Sequence, residues 1–221
     1  MRTVVEPVTE EVSSTKRVIL AAAEEVFATY GYAGASTRAI VKRAGVNISS
    51  LHYHWSSKER LYFAVFEDIY ARITEVIRAT FETCARDKLD RLATMTSVMA
   101  ALIDFFLDHP NVPRLLARRL LENENEHADI ERRILKPAWQ TFSEWVRSFG
   151  GKGMSELDAS LFMLTVEGAV LLLTLDSPHV TTLLGGSVRR PQLRAKVRPY
   201  LVQLVPMLLQ RAAQRNSGRS E

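Results

Sequence analysis

The first sixty residues contain a regular succession of helix-capping residues and glycine stops. Ser14 or Thr15 can cap a first helix, whose apolar side chains recur at helical spacing until Gly31 ends it. Ser36 can cap a second, short helix, and Gly45 can close that helix in the left-handed conformation. These signals predict short helices joined by a glycine-containing turn.

The same pattern continues downstream. Asn47 is placed to cap a third helix that ends near Trp55, and the pair Ser56-Ser57 marks the start of a long helix from Lys58 to Arg86. The chain has only 8 prolines and 10 glycines, which also favours helix. Further helical segments are expected at residues 89–108, 112–122, 128–149, 156–176 and 191–215. The sequence therefore predicts an all-α fold.

Four segments follow from these signals. They are a flexible N-terminal arm at 1–13, a three-helix domain at 14–60, a larger helical domain at 61–215 and a tail at 216–221. The start lacks the basic-then-apolar pattern of a signal peptide, and charged residues bracket the longest apolar stretch, so we expect a cytoplasmic protein without a membrane span. The single cysteine, Cys84, excludes an intramolecular disulfide and a cysteine-based metal site.

Charge is distributed unevenly along the chain. The formal net charge of +4 is compatible with an anionic partner without identifying one. From Ser36 to Lys58, however, the chain carries Arg38, Lys42 and Arg43 and no acidic residue. An acid-free stretch with two short helices around a turn is typical of a helix-turn-helix that enters the major groove of DNA.

The residues of this region resemble those of the TetR family of regulators. The resemblance rests on TRAIVKRAGV at residues 37–46 and LHYHWSSKERL at residues 51–61, with Ala22-Ala23, Phe27 and the YGY of residues 30–32 upstream. It covers roughly residues 16 to 66. The chain departs from the family at two positions: His52 stands where tyrosine is usual and Trp55 where phenylalanine is usual, so Trp55 is expected in the core.

The resemblance implies DNA contacts from both short helices. Near the first, Ser36 or Thr37 is expected to bind phosphate, and Arg38 to bind a base or the backbone. The remaining contacts are Ile48, Ser49 and Ser50 at base edges, Tyr53 and His54 on the backbone, His52 in an altered contact, and Lys58 as a phosphate clamp. Because the base-edge residues cannot make the arginine–guanine pair, specificity should depend on thymine methyls, hydroxyls and DNA shape. Lys42 and Arg43 are equally well explained as solvated surface.

By the same resemblance, the larger domain binds an effector and forms a homodimer. Pairing is also expected because one helix-turn-helix makes few base contacts, whereas two can share a palindromic operator. The interface candidates lie on the last two long helices and are equally explained as intradomain core: Leu157, Leu161, Leu164, Leu171, Leu172, Leu193, Val197, Leu201, Leu204, Leu208 and Leu209.

A small organic effector would need an apolar pocket with few polar anchors. The candidate lining residues, each also explicable as plain core, are Phe105, Phe106, Trp139, Phe142, Trp145, Phe162 and Met163. Glu167 interrupts the most apolar helix, where it could hold a cationic group of the ligand or pair with an arginine across the dimer.

The function predicted is a regulator of transcription, a repressor that an effector releases from double-stranded operator DNA. Two alternatives stay open: a helical protein that keeps the fold but acts by protein interaction, and a metal-dependent helical-bundle enzyme. The only sequence support for an enzyme is the Glu-x-x-His spacing at residues 124–127. A di-metal site in a helical bundle needs a second Glu-x-x-His motif, which the sequence lacks, so this segment is better explained as a solvated run of charged residues. We therefore expect no catalytic residue, metal or cofactor. The basic cluster Arg189, Arg190, Arg194 and Arg198 could contact an anionic ligand or DNA, but it is interpreted as a solvated helix face.

Overall fold

The computed structural model describes residues 7–121, 127–150 and 154–217, and the regular structure in these ranges is helical throughout. The helices are α1 Pro7–Gly34, α2 Thr37–Ala44, α3 Ile48–His54, α4 Lys58–Arg86, α5 Arg91–Asp108, α6 Asn111–Leu121, α7 Ala128–Ile130, α8 Lys136–Gly150, α9 Glu156–Thr174, α10 Pro178–Leu184 and α11 Pro191–Ser217. A π-helical turn, Glu131–Leu135, joins α7 to α8. The predicted all-α class is confirmed.

Local hydrogen bonds set the boundaries of the short helices. Ser36 Oγ accepts from the amide of Ala39 at 3.1 Å, and Asn47 Oδ1 accepts from the amide of Ser50 at 2.8 Å. Gly45 closes α2 in the left-handed conformation, with φ of 69°. Ser57 caps α4, which begins and ends at the residues predicted. These caps stabilise their helices by about 1 kcal/mol each.

Several boundaries differ from the sequence prediction. Helix α1 begins at Pro7, inside the predicted arm, because proline is favourable in a first helical turn; residues 1–6 lie outside the described residues. Gly31 breaks α1 with φ of 71°, but helical hydrogen bonding resumes as far as Gly34. Helix α10 was not predicted, and α4 runs unbroken through the predicted domain boundary at residue 60.

Two hydrophobic clusters form the core. One contains residues of α1, α2, α3, the first half of α4, and α6, packed around the fully buried Phe27, Tyr62 and Phe66. The other joins α5, α8, α9 and α11. Phe106 and Trp139 pack against both clusters, so the two parts of the chain share a continuous apolar contact.

Helix α9 is the only described helix that, taken alone, is long and apolar enough to cross a membrane. One of its faces is buried in the second cluster through Ala159, Phe162, Val166 and Val170. That packing accounts for one face of α9, whereas leucines on its other face are exposed.

Candidate nucleic-acid interface and ligand cavity

Helix α3 has one buried side and one exposed side. Leu51 and the following Trp55 are buried and fix the helix on the first cluster, as predicted for Trp55. Tyr53 is 76% exposed and Ile48 is 39% exposed. The buried residues therefore hold the helix while the other side faces outward.

The residues predicted to contact DNA lie close together on α2, α3 and the start of α4. Six of them are exposed: Ser36, Arg38, Ile48, Ser49, His52 and Tyr53. The other four are half-buried: Thr37, Ser50, His54 and Lys58. The rings of Tyr53 and His54 meet edge to face with centroids 5.0 Å apart, which restricts both side chains.

The cations of the acid-free stretch differ in their partners. Arg43 pairs with Glu25 of α1, with a nitrogen-to-oxygen distance of 2.7 Å. Arg38 and Lys42 make no ion pair with any described residue. The positive charge open to a ligand on this surface is therefore that of Arg38 and Lys42.

Lys58 is engaged inside the protein. Its ammonium donates to the carbonyls of Tyr32 at 2.9 Å and Ala35 at 3.0 Å, and it lies 4.2 Å from the centroid of the Tyr32 ring. These contacts fasten the start of α4 to the end of α1. The predicted phosphate clamp therefore needs revision, because two of its three N–H groups already hold the chain.

Arg118 of α6 reaches the same end of α1 from the other side. Its Nε donates to the carbonyl of Ala28 at 3.1 Å, and its Nη2 donates to the carbonyl of Thr29 at 2.8 Å. These carbonyls precede the break at Gly31, where the helix cannot satisfy them all. No sequence signal indicated this contact, since about ninety residues separate the partners.

A cavity of about 560 Å³ lies between α4, α5, α6, α8 and α9. Six of the eight residues predicted to bind an effector line it: Phe106, Trp139, Phe142, Trp145, Met163 and Glu167. The other two do not. Phe105 stacks on His109 with centroids 4.4 Å apart, and Phe162 is buried in the second cluster, because each projects from its helix away from the cavity.

Part of the cavity wall was missed by the sequence analysis. Tyr70, Ile73, Thr74 and Ile77 of α4 line it. The sequence predicted the helix that carries them, Lys58 to Arg86, but none of the four was predicted to line a pocket. The long helix that starts beside the DNA-binding residues therefore also forms a wall of the cavity.

Glu167 is the acidic group of this wall. Removal from water raises the pKa of its carboxyl to about 7. Burial, with the charges of Glu167 and Glu131, raises the pKa of the Tyr70 hydroxyl well above its ordinary value, so that hydroxyl stays protonated. Between them the two groups offer a carboxyl and a hydroxyl to an occupant.

The C-terminal arginine cluster is not a free cationic face. Arg194 and Arg198 of α11 both pair with Asp104 of α5, at 3.0 Å and 2.7 Å. Arg189 pairs with Asp176 at 2.8 Å. The interpretation of this cluster as a solvated face was therefore wrong for these three arginines, because acids of α5 and of the connection between α9 and α10 lie within reach.

The Glu-x-x-His motif lies mostly outside the described residues. The described His127 packs against the rings of Tyr32 and Tyr62, with centroids 4.0 and 5.0 Å apart. Across the part of the chain that the structure describes, no three His, Cys, Asp or Glu side chains are grouped to hold a metal ion.

Comparisons with known proteins agree with this geometry. Residues 19–65 match the model described as "Bacterial regulatory proteins, tetR family". The HTH-type transcriptional regulator RutR of Escherichia coli K12 is 30% identical over 110 residues, which are 50% of this chain and 50% of RutR. The chain thus spans about half the length of the curated relatives it matches first.

Solved structures share the fold over most of the chain. The fatty acid degradation regulator FadR from Bacillus halodurans superposes with a TM-score of 0.65 at 20% identity, over 86% of this chain and 94% of that protein. FadR from Bacillus subtilis, solved in complex with stearoyl-CoA, gives 0.62 at 18% identity, over 86% of this chain and 96% of that protein. At these identities the likeness shows the fold alone.

Proposed function

Because this chain belongs to the TetR family of bacterial regulatory proteins, we propose that it is a cytoplasmic, homodimeric repressor that leaves its operator when a small organic effector fills the cavity. The observation that carries the proposal is the two-sided helix α3. Its inner residues are buried, while Ile48, Ser49, His52 and Tyr53 are exposed in a stretch of sequence free of acidic residues.

In this proposal α3 is the recognition helix in the major groove. Ile48 meets thymine methyl groups, and the hydroxyls of Ser49 and Ser50 bind base edges. Arg38 and the backbone amides at the start of α2 bind phosphate. Helix α3 has no arginine or lysine, so selectivity depends on methyl groups, hydroxyls and DNA shape rather than on guanine pairs.

A second copy of the chain fits the outer face of α9. Its exposed leucines Leu157, Leu161, Leu164 and Leu172 follow one another at intervals of four, three and eight residues, which places them on one stripe of the helix. Gly168 lies in the same stripe, and a Cβ added there would meet nothing within 4 Å. A contiguous apolar stripe on a water-exposed helix indicates an interface, and two-fold pairing buries it in both copies.

Two helices connect the cavity to the DNA-binding surface. Helix α4 lines the cavity with Tyr70 and Ile73 and begins at Lys58, which holds the end of α1. Helix α6 lines it with Leu116 and holds α1 through Arg118. An effector that binds better to one arrangement of these helices shifts the spacing of the two recognition helices, and couplings of about 1 to 3 kcal/mol are usual.

Selection from a pool of random DNA duplexes tests the proposal. The purified protein is mixed with the pool at moderate salt, and the retained duplexes are sequenced. We expect enrichment of an inverted repeat whose half-sites are about one helical turn apart. A folded protein that enriches no sequence would contradict operator binding.

A pair of tyrosine variants separates DNA binding from the interaction-protein alternative. We expect Tyr53→Ala to weaken retention of the enriched duplex at least about tenfold. The control is Tyr30→Ala, since Tyr30 is 61% exposed in the same domain but lies outside α2 and α3. If both variants retained the duplex equally well, α3 would not be the recognition helix.

A further inference from the structure

The wall of the cavity has an unusual balance of charge. Among the described residues that line it, none is a lysine, arginine or histidine, and Glu167 is the only carboxylic acid. An anionic head group placed there would meet a carboxyl and no compensating cation. Burying such a charge unpaired is costly.

The carboxyl of Glu167 has no partner within the described chain. No described residue donates a hydrogen bond to it or forms an ion pair with it. Two hydroxyls of the same wall already donate their hydrogen bonds to backbone carbonyls. Thr74 donates to the carbonyl of Tyr70 at 2.8 Å, and Thr141 donates to the carbonyl of Pro137 at 3.0 Å. The carboxyl of Glu167 is therefore available to accept a hydrogen bond from a molecule bound in the cavity.

Aromatic rings make up much of the remaining wall. The ring of Trp145 meets that of Phe142 at a centroid distance of 5.0 Å and that of Phe81 at 5.2 Å. Trp139 and Phe106 also line the cavity. The faces of aromatic rings attract cations, and tryptophan does so most strongly.

We infer that the cavity binds a lipophilic cation, an organic ammonium whose charged head pairs with Glu167 while its apolar body lies against the aromatic wall. This inference rests on the proposed function, since it takes the cavity as the effector site and names the chemical class of the effector. The cavity volume suits a molecule of drug-like size.

The ionisation of Glu167 agrees with this pairing. Burial raises the pKa of the carboxyl to about 7, so the carboxyl is partly ionised at neutral pH. An ammonium beside it favours the carboxylate and lowers that pKa. Tyr70 faces the same carboxyl and remains a neutral hydroxyl.

Three probes with the same chain and different heads test the inference: decylamine, decanol and decanoate. Each is titrated into the full-length protein at pH 8 by calorimetry, below the concentration at which it forms micelles. We expect decylamine to bind at least about tenfold more tightly than decanol, and decanoate to bind most weakly. The isosteric variant Glu167→Gln should abolish the preference for decylamine and leave the affinity for decanol unchanged.

The matched control is Glu144→Gln, which removes an exposed carboxylate from α8 and should preserve the preference. Equal or tighter binding of decanoate by the unmodified protein, the same preference in Glu167→Gln, or no binding of any probe would overturn the inference. The operator assay is run beside the titration. If the protein enriches an operator but shows no preference for decylamine, this inference is refuted and the proposed function stands. If decylamine binding depends on Glu167 but no operator is enriched, the proposed repressor function is refuted and the inferred ligand class stands.

Discussion

At the scale of single residues, the carboxyl of Glu167 links the cavity to stability. Its pKa is about 7 in the folded chain and near the ordinary 4.5 in the unfolded chain, so the folded state binds more protons between these values. Stability is therefore full below about pH 4.5 and decreases as the pH rises to about 7. The cause is the cost of a charge in an apolar wall.

We predict that Glu167→Gln stabilises the protein at pH 8 by roughly 2 to 3 kcal/mol and has a much smaller effect at pH 5. Urea unfolding at the two pH values measures the difference. The exposed Glu144→Gln serves as the control, with no pH-dependent change expected. An equal effect of Glu167→Gln on stability at pH 8 and at pH 5 would contradict the raised pKa of the Glu167 carboxyl.

The second residue-scale prediction concerns Lys58. Because its ammonium holds the carbonyls of Tyr32 and Ala35, Lys58→Met should lower the free energy of unfolding by about 1 to 3 kcal/mol. The salt dependence of operator binding should keep its slope. Arg38→Ala provides the contrast, since losing one phosphate contact lowers the slope by about one unit without loss of stability. A lowered slope with unchanged stability in Lys58→Met would restore the phosphate clamp.

At the scale of helices, α1 is held on both sides of its break. Lys58 binds carbonyls after Gly31, and Arg118 binds carbonyls before it. In the proposed function, these contacts would pass a movement of α6 to α1, the helix that supports α2 and α3. The break gives carbonyls that a continuous helix would not offer.

We predict that Arg118→Ala uncouples the cavity from the DNA-binding surface. Decylamine should still bind with unchanged affinity, but its effect on operator affinity should fall roughly fivefold, because α6 no longer holds α1. Operator affinity is measured with and without the amine. Arg114→Ala removes an exposed arginine one turn earlier on α6 and should leave the effect intact. A full response in Arg118→Ala would remove α6 from the coupling route.

At the scale of the whole molecule, the exposed leucine stripe of α9 is the proposed dimer interface. We predict that Leu164→Glu converts the dimer to a monomer, because a two-fold interface would bury the new charge twice. Sedimentation velocity measures the change, and circular dichroism confirms that the helices persist. Operator affinity should fall at least about tenfold, since a monomer contacts one half-site.

The control for this change is Leu120→Glu on α6, where the leucine is 66% exposed and lies outside the stripe. We expect it to remain dimeric. If Leu164→Glu also remained dimeric and bound the operator normally, the interface would lie on another face.

The sequence by itself determined the local structure of the DNA-binding region. The caps Ser36, Asn47 and Ser57 and the left-handed Gly45 were all predicted, because each depends on hydrogen bonds or dihedral angles within a few neighbouring residues. The signals at Pro7 and at Ser177-Pro178 were equally local and were overlooked, which explains the early start of α1 and the missed α10.

Only the tertiary structure decided which side chains meet across helices. Phe105 and Phe106 are adjacent in sequence, yet only Phe106 lines the cavity, since neighbouring residues on a helix point about 100° apart and the surrounding helices choose the side. Lys58, Arg118 and Arg198 find their partners 26, 90 and 94 residues away. Contacts of this kind depend on how the helices cross, and helix crossing is set by the packing of whole faces rather than by any local signal.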